Sequence, residues 1–315
     1  MLDRLSATQR ELVSSLTTRL GSIPGVAAVV LGGSHARGRA LPGSDIDLGL
    51  LYSESDPFSI QSVRALAEAV NDTSDPVVTG FYEWGPWVNG GAWLSIGGQR
   101  VDLIYRNLEH IARVIGAAEA GRYELDYLQQ PPFGFFSPTY LGEIAVCIPL
   151  FDPAARLEEL KRRVSVYPEL LRQAVVRDHL WMAEFTLGAF AQKFAARSDV
   201  HGTATCLTRA TNHLVLGLFS LNRAYPINDK TALAEIAEFG RAPREFGARL
   251  NELFARLGTS AGELGAAVEC VGQLLRETIE LTDGLYRPRF VLPKATTNAE
   301  SADGARAGAE AAEFW

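Results

Sequence analysis

The hydrophobic rhythm of the chain changes partway along. Over roughly the first 150 residues, short apolar runs alternate with amphipathic stretches, and beyond them only helical periods remain. Leu5, Leu12, Val13, Leu16 and Leu20 make a stripe at helical spacing, broken by polar residues. Val26 to Leu31 then runs apolar as a buried strand does, and Gly32-Gly33 turns the chain into a brief helix starting near Ser34. Pro42-Gly43 ends that helix; Asp45 to Tyr52 reads as the next strand and Ser59 to Val70 as a helix. Ala92 to Ile96 and Arg100 to Tyr105 read as two strands, and the Gly97-Gly98 pair between them signals a two-residue hairpin. Residues 1–150 are therefore expected to form a small mixed sheet with helices.

From about Asp152 the strand signals stop. Leu157, Leu160 and Val164 open a helical pattern that Tyr167-Pro168 interrupts. Further helical stretches cover Leu170 to Phe194, Cys206 to Leu221, Thr231 to Phe239, Pro243 to Leu257 and Ala261 to Leu281, with short connections. This predicts an antiparallel helical bundle over residues 151–290. After Lys294 the sequence is Ala, Glu, Gly and Ser without an apolar period until Phe314-Trp315, so residues 291–315 are expected to be a disordered tail. The expected fold class is α+β, a mixed-sheet domain followed by an all-α bundle.

Composition adds exclusions. The 315 residues suit two domains of ordinary size. The longest purely apolar run, Val26 to Leu31, is too short to span a bilayer, and the N-terminal stripe lacks a secretion pattern, so a cytoplasmic protein without a membrane partner is expected. Cys147, Cys206 and Cys270 are isolated and odd in number, and read as small apolar residues in a reducing compartment. The net charge of −7 weighs against a nucleic-acid partner, which rewards a basic stripe through counterion release. The one basic triplet, Lys161-Arg162-Arg163, lies beside Glu158 and Glu159 and reads as a solvated helix face.

The chemistry concentrates between Leu31 and Leu50. Glycines straight after a strand let the backbone approach a ligand closely, and a helix opening at Ser34 turns unpaired amides and the positive dipole end outward. A serine hydroxyl adds a donor, and the set suits phosphates. In Asp45-Ile46-Asp47, residues two apart on a strand point to one face, so both carboxylates project together while Ile46 and Leu48 enter the core. Adjacent like charges are costly without a cation, and Mg²⁺ favours one or two carboxylates with phosphate oxygens. Asp102 stands alone in an apolar strand, between Val101 and Leu103. Beside the other two it completes a site for a second metal ion.

Gly33-Ser34, then Ser44-Asp45-Ile46-Asp47-Leu48, then a later lone strand aspartate resembles the signature of the polymerase-β nucleotidyltransferase superfamily. The G-S-x-A-R-G form is similar to its small members, including those that adenylylate antibiotics. The resemblance implies an Mg-dependent transfer of a nucleoside monophosphate from an NTP, ATP by preference, with loss of pyrophosphate. It implies Asp45 and Asp47 as ligands of the nucleotide's metal and Asp102 as ligand of the second, the three together forming the catalytic set. Gly33 and Ser34 would hold the triphosphate. Arg37 would either contact phosphate or brace the site by pairing with an aspartate. Asp102 or another acid nearby would take the acceptor's proton.

The helical half resembles, more loosely, the bundles of aminoglycoside- and lincosamide-type enzymes and HEPN-like bundles. Lys230, after a turn-forming stretch, is a further nucleotide-binding candidate as a point charge on the triphosphate, or else a solvated lysine. HEPN ribonucleases carry an Arg and a His with four to six residues between them; Arg209 and His213 have only three between them, and His213 reads as a polar residue of a buried helix. Glu143 and Glu184 lie in otherwise apolar helices, as bases or as paired structural acids. Trp84, Trp87 and Trp93 flank the hairpin, for stacking or for core packing. The expected partners are the nucleotide and a small-molecule acceptor bound between the two halves of a monomer or homodimer. A protein hydroxyl is the alternative acceptor, and a catalytically silent nucleotide sensor the alternative function.

Overall fold

A computed structural model describes residues 5–130 and 132–290. The expected tail, residues 291–315, lies outside the described residues. The chain divides into two compact units. The first comprises Met1–Arg177 and Leu216–Gly240; the second comprises Asp178–Val215 and the chain from Arg241 onward. The boundary expected near residue 150 does not coincide with this division, and the reason is packing. Leu157, Leu160, Val164 and Tyr167 belong to the same buried cluster as residues of the sheet domain.

The first unit runs α1 (Ala7–Gly21), β1 (Ala28–Leu31), α2 (Gly33–Arg37), β2 (Ile46–Tyr52), α3 (Ile60–Val70), β3 (Val77–Val78), α4 (Gly85–Val88), β4 (Gly91–Ile96), β5 (Gln99–Asn107) and α5 (Leu108–Glu119). A small hairpin, β6 (Leu125–Asp126) with β7 (Phe135–Phe136), precedes α6 (Thr139–Val146), β8 (Ile148–Phe151) and α7 (Arg156–Val164). The helix α8 (Glu169–Phe185) begins in the first unit, continues into the second and passes through a π-helical turn (Thr186–Ala191) into α9 (Gln192–Ala196). Then α10 (Val200–Leu221) returns the chain to the first unit, where a 3₁₀ turn (Asp229–Thr231) leads into α11 (Ala232–Ile236). The second unit ends with α12 (Phe246–Ala255) and α13 (Ala261–Glu280).

Local chemistry explains the leading elements. Ser6 caps α1 through a reciprocal pair with Gln9, and Val13, Leu16 and Leu20 face inward. Both Gly97 and Gly98 have positive φ (59° and 78°), as the tight turn joining Ile96 to Gln99 requires, and Asp72 accepts from both of their amides (2.7 and 2.9 Å). The elements beyond those expected from the sequence include α5 and β8. Helix α5 carries the stripe Leu108, Ile111, Val114, Ile115 and Ala118 behind an Asn107 cap. Strand β8 contains Pro149, which a sheet-edge strand tolerates.

The six-stranded sheet has the order β3-β4-β5-β2-β1-β8, with β2 and β5 parallel and every other neighbouring pair antiparallel. Side chains alternate between its faces. Val29, Leu31, Ile46, Leu48, Leu50, Val101 and Leu103 bury one face against α1 and α3. On the other face Ala28, Val30 and Leu51 join residues of α5, α6 and α7 in a second cluster. The Lys161 ammonium donates to the Ile144 and Cys147 carbonyls (both 2.8 Å), closing the end of α6. That residue of the basic triplet is thus structural, while Arg162 and Arg163 pair with Glu159 and Glu119. The three cysteines are free thiols, two of them buried. Among the described residues no helix is long and apolar enough to cross a membrane.

In the second unit, α13 buries Leu264, Ala267, Val268, Val271, Leu274, Leu275 and Thr278 at helical spacing behind a Ser260–Glu263 capping box. Glu184 is 1% exposed and accepts from the Tyr286 hydroxyl and the Arg289 and Phe290 amides, so it anchors the segment after α13 as a structural acid. His213 is buried, as expected, and its Nδ1 lies 2.9 Å from His179 Nδ1. One ring donates and the other accepts, so the two neutral rings carry different tautomers. Burial, with Arg209 nearby, holds the His213 imidazole down to about 4, and burial beside His213 holds His179 well below its usual value. The unfolded rings take protons near pH 6.5 and the folded ones do not. Stability supplied by this pair is therefore present above that value and lost as pH falls towards 4. The urea midpoint of the protein is expected to drop across this window, and His213→Asn to lessen the drop; a flat midpoint would contradict the assignment.

Candidate active site

The parallel pairing of β2 with β5 sets the site. Its register places Asp47 opposite Asp102. Register partners on neighbouring strands share a face, so the two carboxylates project side by side. They stand on the face that Val30 and Leu51 bury further along, and both are only partly exposed. Asp45 immediately precedes β2, and its Oδ1 lies 2.6 Å from Arg100 Nε, an ion pair without hydrogen-bond alignment. Asp45, Asp47 and Asp102 thus gather at one end of two adjacent strands.

The glycine turn meets this cluster directly. The Gly32 amide donates to the Asp47 carbonyl at 2.8 Å, and Gly33 adopts a φ of 56°. A Cβ on Gly33 would fall on the Asp47 carboxylate, so only glycine fits. Helix α2 begins at Gly33 rather than Ser34, with Gly32 as its cap. Its first intrahelical bond runs from Ala36 to Gly32 (3.1 Å), which leaves the earlier amides of Gly33, Ser34 and His35 for other partners.

The cluster is electrostatically unbalanced. Burial, then the charges of Asp102, Asp45 and Glu143, push the Asp47 carboxyl up to about 7, opposed by Lys230. Burial and Asp45 raise Asp102 as well, opposed by Arg100 and Lys230. Lys230 therefore stands close enough to act on both aspartates. Oxygen donors that repel one another in this way fit a hard divalent cation. Among the described residues no group of three His, Cys, Asp or Glu forms a ready metal cage. Asp45 is engaged by Arg100, and Mg²⁺ of a nucleotide ordinarily takes one or two carboxylates and completes its shell with phosphate and water.

Two candidates are committed elsewhere. Arg37 pairs with Glu235 (Nη2 to Oε1, 2.6 Å), both side chains nearly buried, and reaches the Thr231 hydroxyl at 3.4 Å. Its partner is thus a glutamate, and not one of the site aspartates with which pairing was expected. Nothing local in α11 marks Glu235 in the sequence as that partner. Glu143 is bidentate to Arg106 (2.7 and 2.8 Å), so it is a paired acid and not a free base. The tryptophans divide. Trp87 is buried against Phe135 and Tyr140, whereas Trp93 is 55% exposed and stacked on Trp84.

A mixed sheet with aspartates in register, met by a glycine-led turn, is the arrangement that the resemblance to polymerase-β nucleotidyltransferases implies. Residues 10–122 match the nucleotidyltransferase domain family. Residues 143–230 match a domain of unknown function, DUF4037. No curated protein matches the chain. Among solved structures, a nucleotidyltransferase-like protein from Exiguobacterium sibiricum 255-15 is similar at 11% identity and a TM-score of 0.44, covering 88% of this chain and 78% of that one.

Proposed function

We propose that this protein transfers a nucleoside monophosphate, AMP from ATP, onto a hydroxyl of a small-molecule acceptor with release of pyrophosphate. The observation that carries the reading is the register of Asp47 with Asp102 beside the Gly33 turn. The acceptor oxygen bonds to the α-phosphorus while the bond from that phosphorus to the bridging oxygen of pyrophosphate breaks. Asp102 is the candidate for the acceptor's proton, since burial and Asp45 make its carboxylate a better base than an exposed one. Asp45, Asp47 and Asp102 would hold two Mg²⁺ ions, which supply Lewis-acid charge at the reacting phosphate. The Gly33 and Ser34 amides and the Ser34 hydroxyl bind phosphate oxygens. Lys230 contributes a point charge to the triphosphate, and Arg37 holds the segment that carries Lys230.

The test is pyrophosphate release from each of the four NTPs with Mg²⁺, with and without chelator, and labelled ATP incubated with cell extract. Chelator-sensitive release with label on small molecules is expected; label on protein would reassign the acceptor, and no release from any NTP would refute the reading. Lys230→Ala is expected to raise the apparent KM for ATP by about tenfold, the worth of one charge-assisted hydrogen bond. An unchanged KM would return Lys230 to a surface role.

A further inference from the structure

We propose that the stacked pair Trp84–Trp93 is a shelf for the acceptor, and that the acceptor carries its reactive hydroxyl on or beside a flat-faced ring. The proposal rests on the nucleotidyl-transfer reading of the aspartate cluster and adds the class of its second substrate. The sheet register places Val77, Trp93, Asp102 and Asp47 in one row across four strands, all on one face. Val77 and Trp93 are 47% and 55% exposed, although the same face is covered by apolar side chains further along. An exposed apolar strip continuous with the acids, on a sheet that otherwise buries such residues, calls for an occupant.

The shelf is built in advance. The Trp84 and Trp93 rings lie 4.9 Å apart at an interplanar angle of 23°. Trp84 sits over Gly91, where a Cβ would approach its ring to 2.9 Å. The Trp84 amide donates to the Asn89 carbonyl (2.8 Å), Gln129 donates to the Trp84 carbonyl (3.1 Å), and buried Asn89 is held by the Tyr52 hydroxyl (2.9 Å). The order of strands says which substrate meets it. The glycine turn leaves β1 and touches Asp47, so the phosphates and the departing pyrophosphate belong on that side. In-line displacement brings the attacking oxygen from the opposite side, towards β5 and β4. A hydroxyl placed at Asp102 is one strand spacing, about 4.8 Å, from the Trp93 row position, the width of a single ring. An indole face binds aromatic rings and the C–H faces of saturated rings, and gains little from an open chain.

The test uses methyl glycosides and phenolic alcohols as ring probes against open-chain polyols. Ring probes are expected to shift the Trp84 and Trp93 indole signals in NMR spectra and to accept label from ATP, and the polyols to do neither. Trp93→Ala should raise the KM for a ring acceptor by about tenfold, with a much smaller change in the KM for ATP, and Trp93→Phe should restore most of the loss. The proposal is overturned by ring probes that leave the indole signals unmoved, by an unchanged acceptor KM in Trp93→Ala, or by a rise confined to the KM for ATP, which would put the nucleobase on the shelf. Failure of the transfer reading looks different: the wild type then releases no pyrophosphate, whatever the indole signals do.

Discussion

Replacing Asp47 with asparagine is expected to eliminate pyrophosphate release while raising the melting temperature of the protein above neutral pH. The first effect follows from the position of Asp47 between the glycine turn and Asp102. Losing a ligand of the cation that offsets charge on a transferring phosphate forfeits several kcal/mol of transition-state stabilisation, on the order of a thousandfold in rate. The second effect follows from the folded protein's difficulty in charging this carboxyl, pushed from 3.8 up to about 7. Folding is unopposed by Asp47 below its unfolded value. As pH rises through 7 the burial and the neighbouring carboxylates count in full, at about 1.4 kcal/mol for each tenfold change in proton affinity. Asparagine removes this penalty. Added Mg²⁺ should raise the melting temperature of the wild type and leave that of the variant nearly unchanged. Residual turnover near the wild-type rate, or a variant less stable than wild type at alkaline pH, would detach Asp47 from the role given to it.

The Arg37–Glu235 pair should show the opposite balance. Both side chains are nearly excluded from water, at 8% and 9% exposure. Either single change, Arg37→Met or Glu235→Leu, leaves a buried charge without its partner and is expected to cost about 3–5 kcal/mol. The double change removes both charges and should cost far less than the sum, which chemical denaturation of the four proteins will measure. Because Thr231 is bonded to Glu235 (2.6 Å) and follows Lys230 directly, the singles should also raise the KM for ATP. Additive costs would mean that the pair is not coupled. An unchanged KM would mean that it steadies the fold without positioning Lys230.

Much of the site is readable from the chain because it is local. The Gly33-Ser34 turn, the Asp45-Ile46-Asp47 strand and the Gly97-Gly98 hairpin each announce their backbone geometry within a few residues, and Asp102 stands out as an acid in an apolar strand. What escapes is long-range. Glu235 becomes a partner of Arg37 only after the chain has left the sheet domain and returned to it. Trp93 sits among aromatic residues of similar composition, and only the register of β4 on β5 separates it, exposed, from buried Trp87. Strand β8 is short and holds a proline, so its pattern falls below what periodicity detects. The expected boundary near residue 150 differs from the division into compact units because α7 looks like the start of a bundle in sequence but shares a core with α5 and α6.

The return of Leu216–Gly240 to the first unit bears on how the gene can be cut. A fragment stopped at Arg177 keeps all three aspartates and the glycine turn, yet lacks Lys230 and Glu235 and strands Arg37 in an apolar setting without a counter-charge. No single stop codon yields the first unit intact. Ribosomes must finish residues 178–215 before supplying the last pieces of the unit that precedes them, so the two units are inherited, translated and engineered as one.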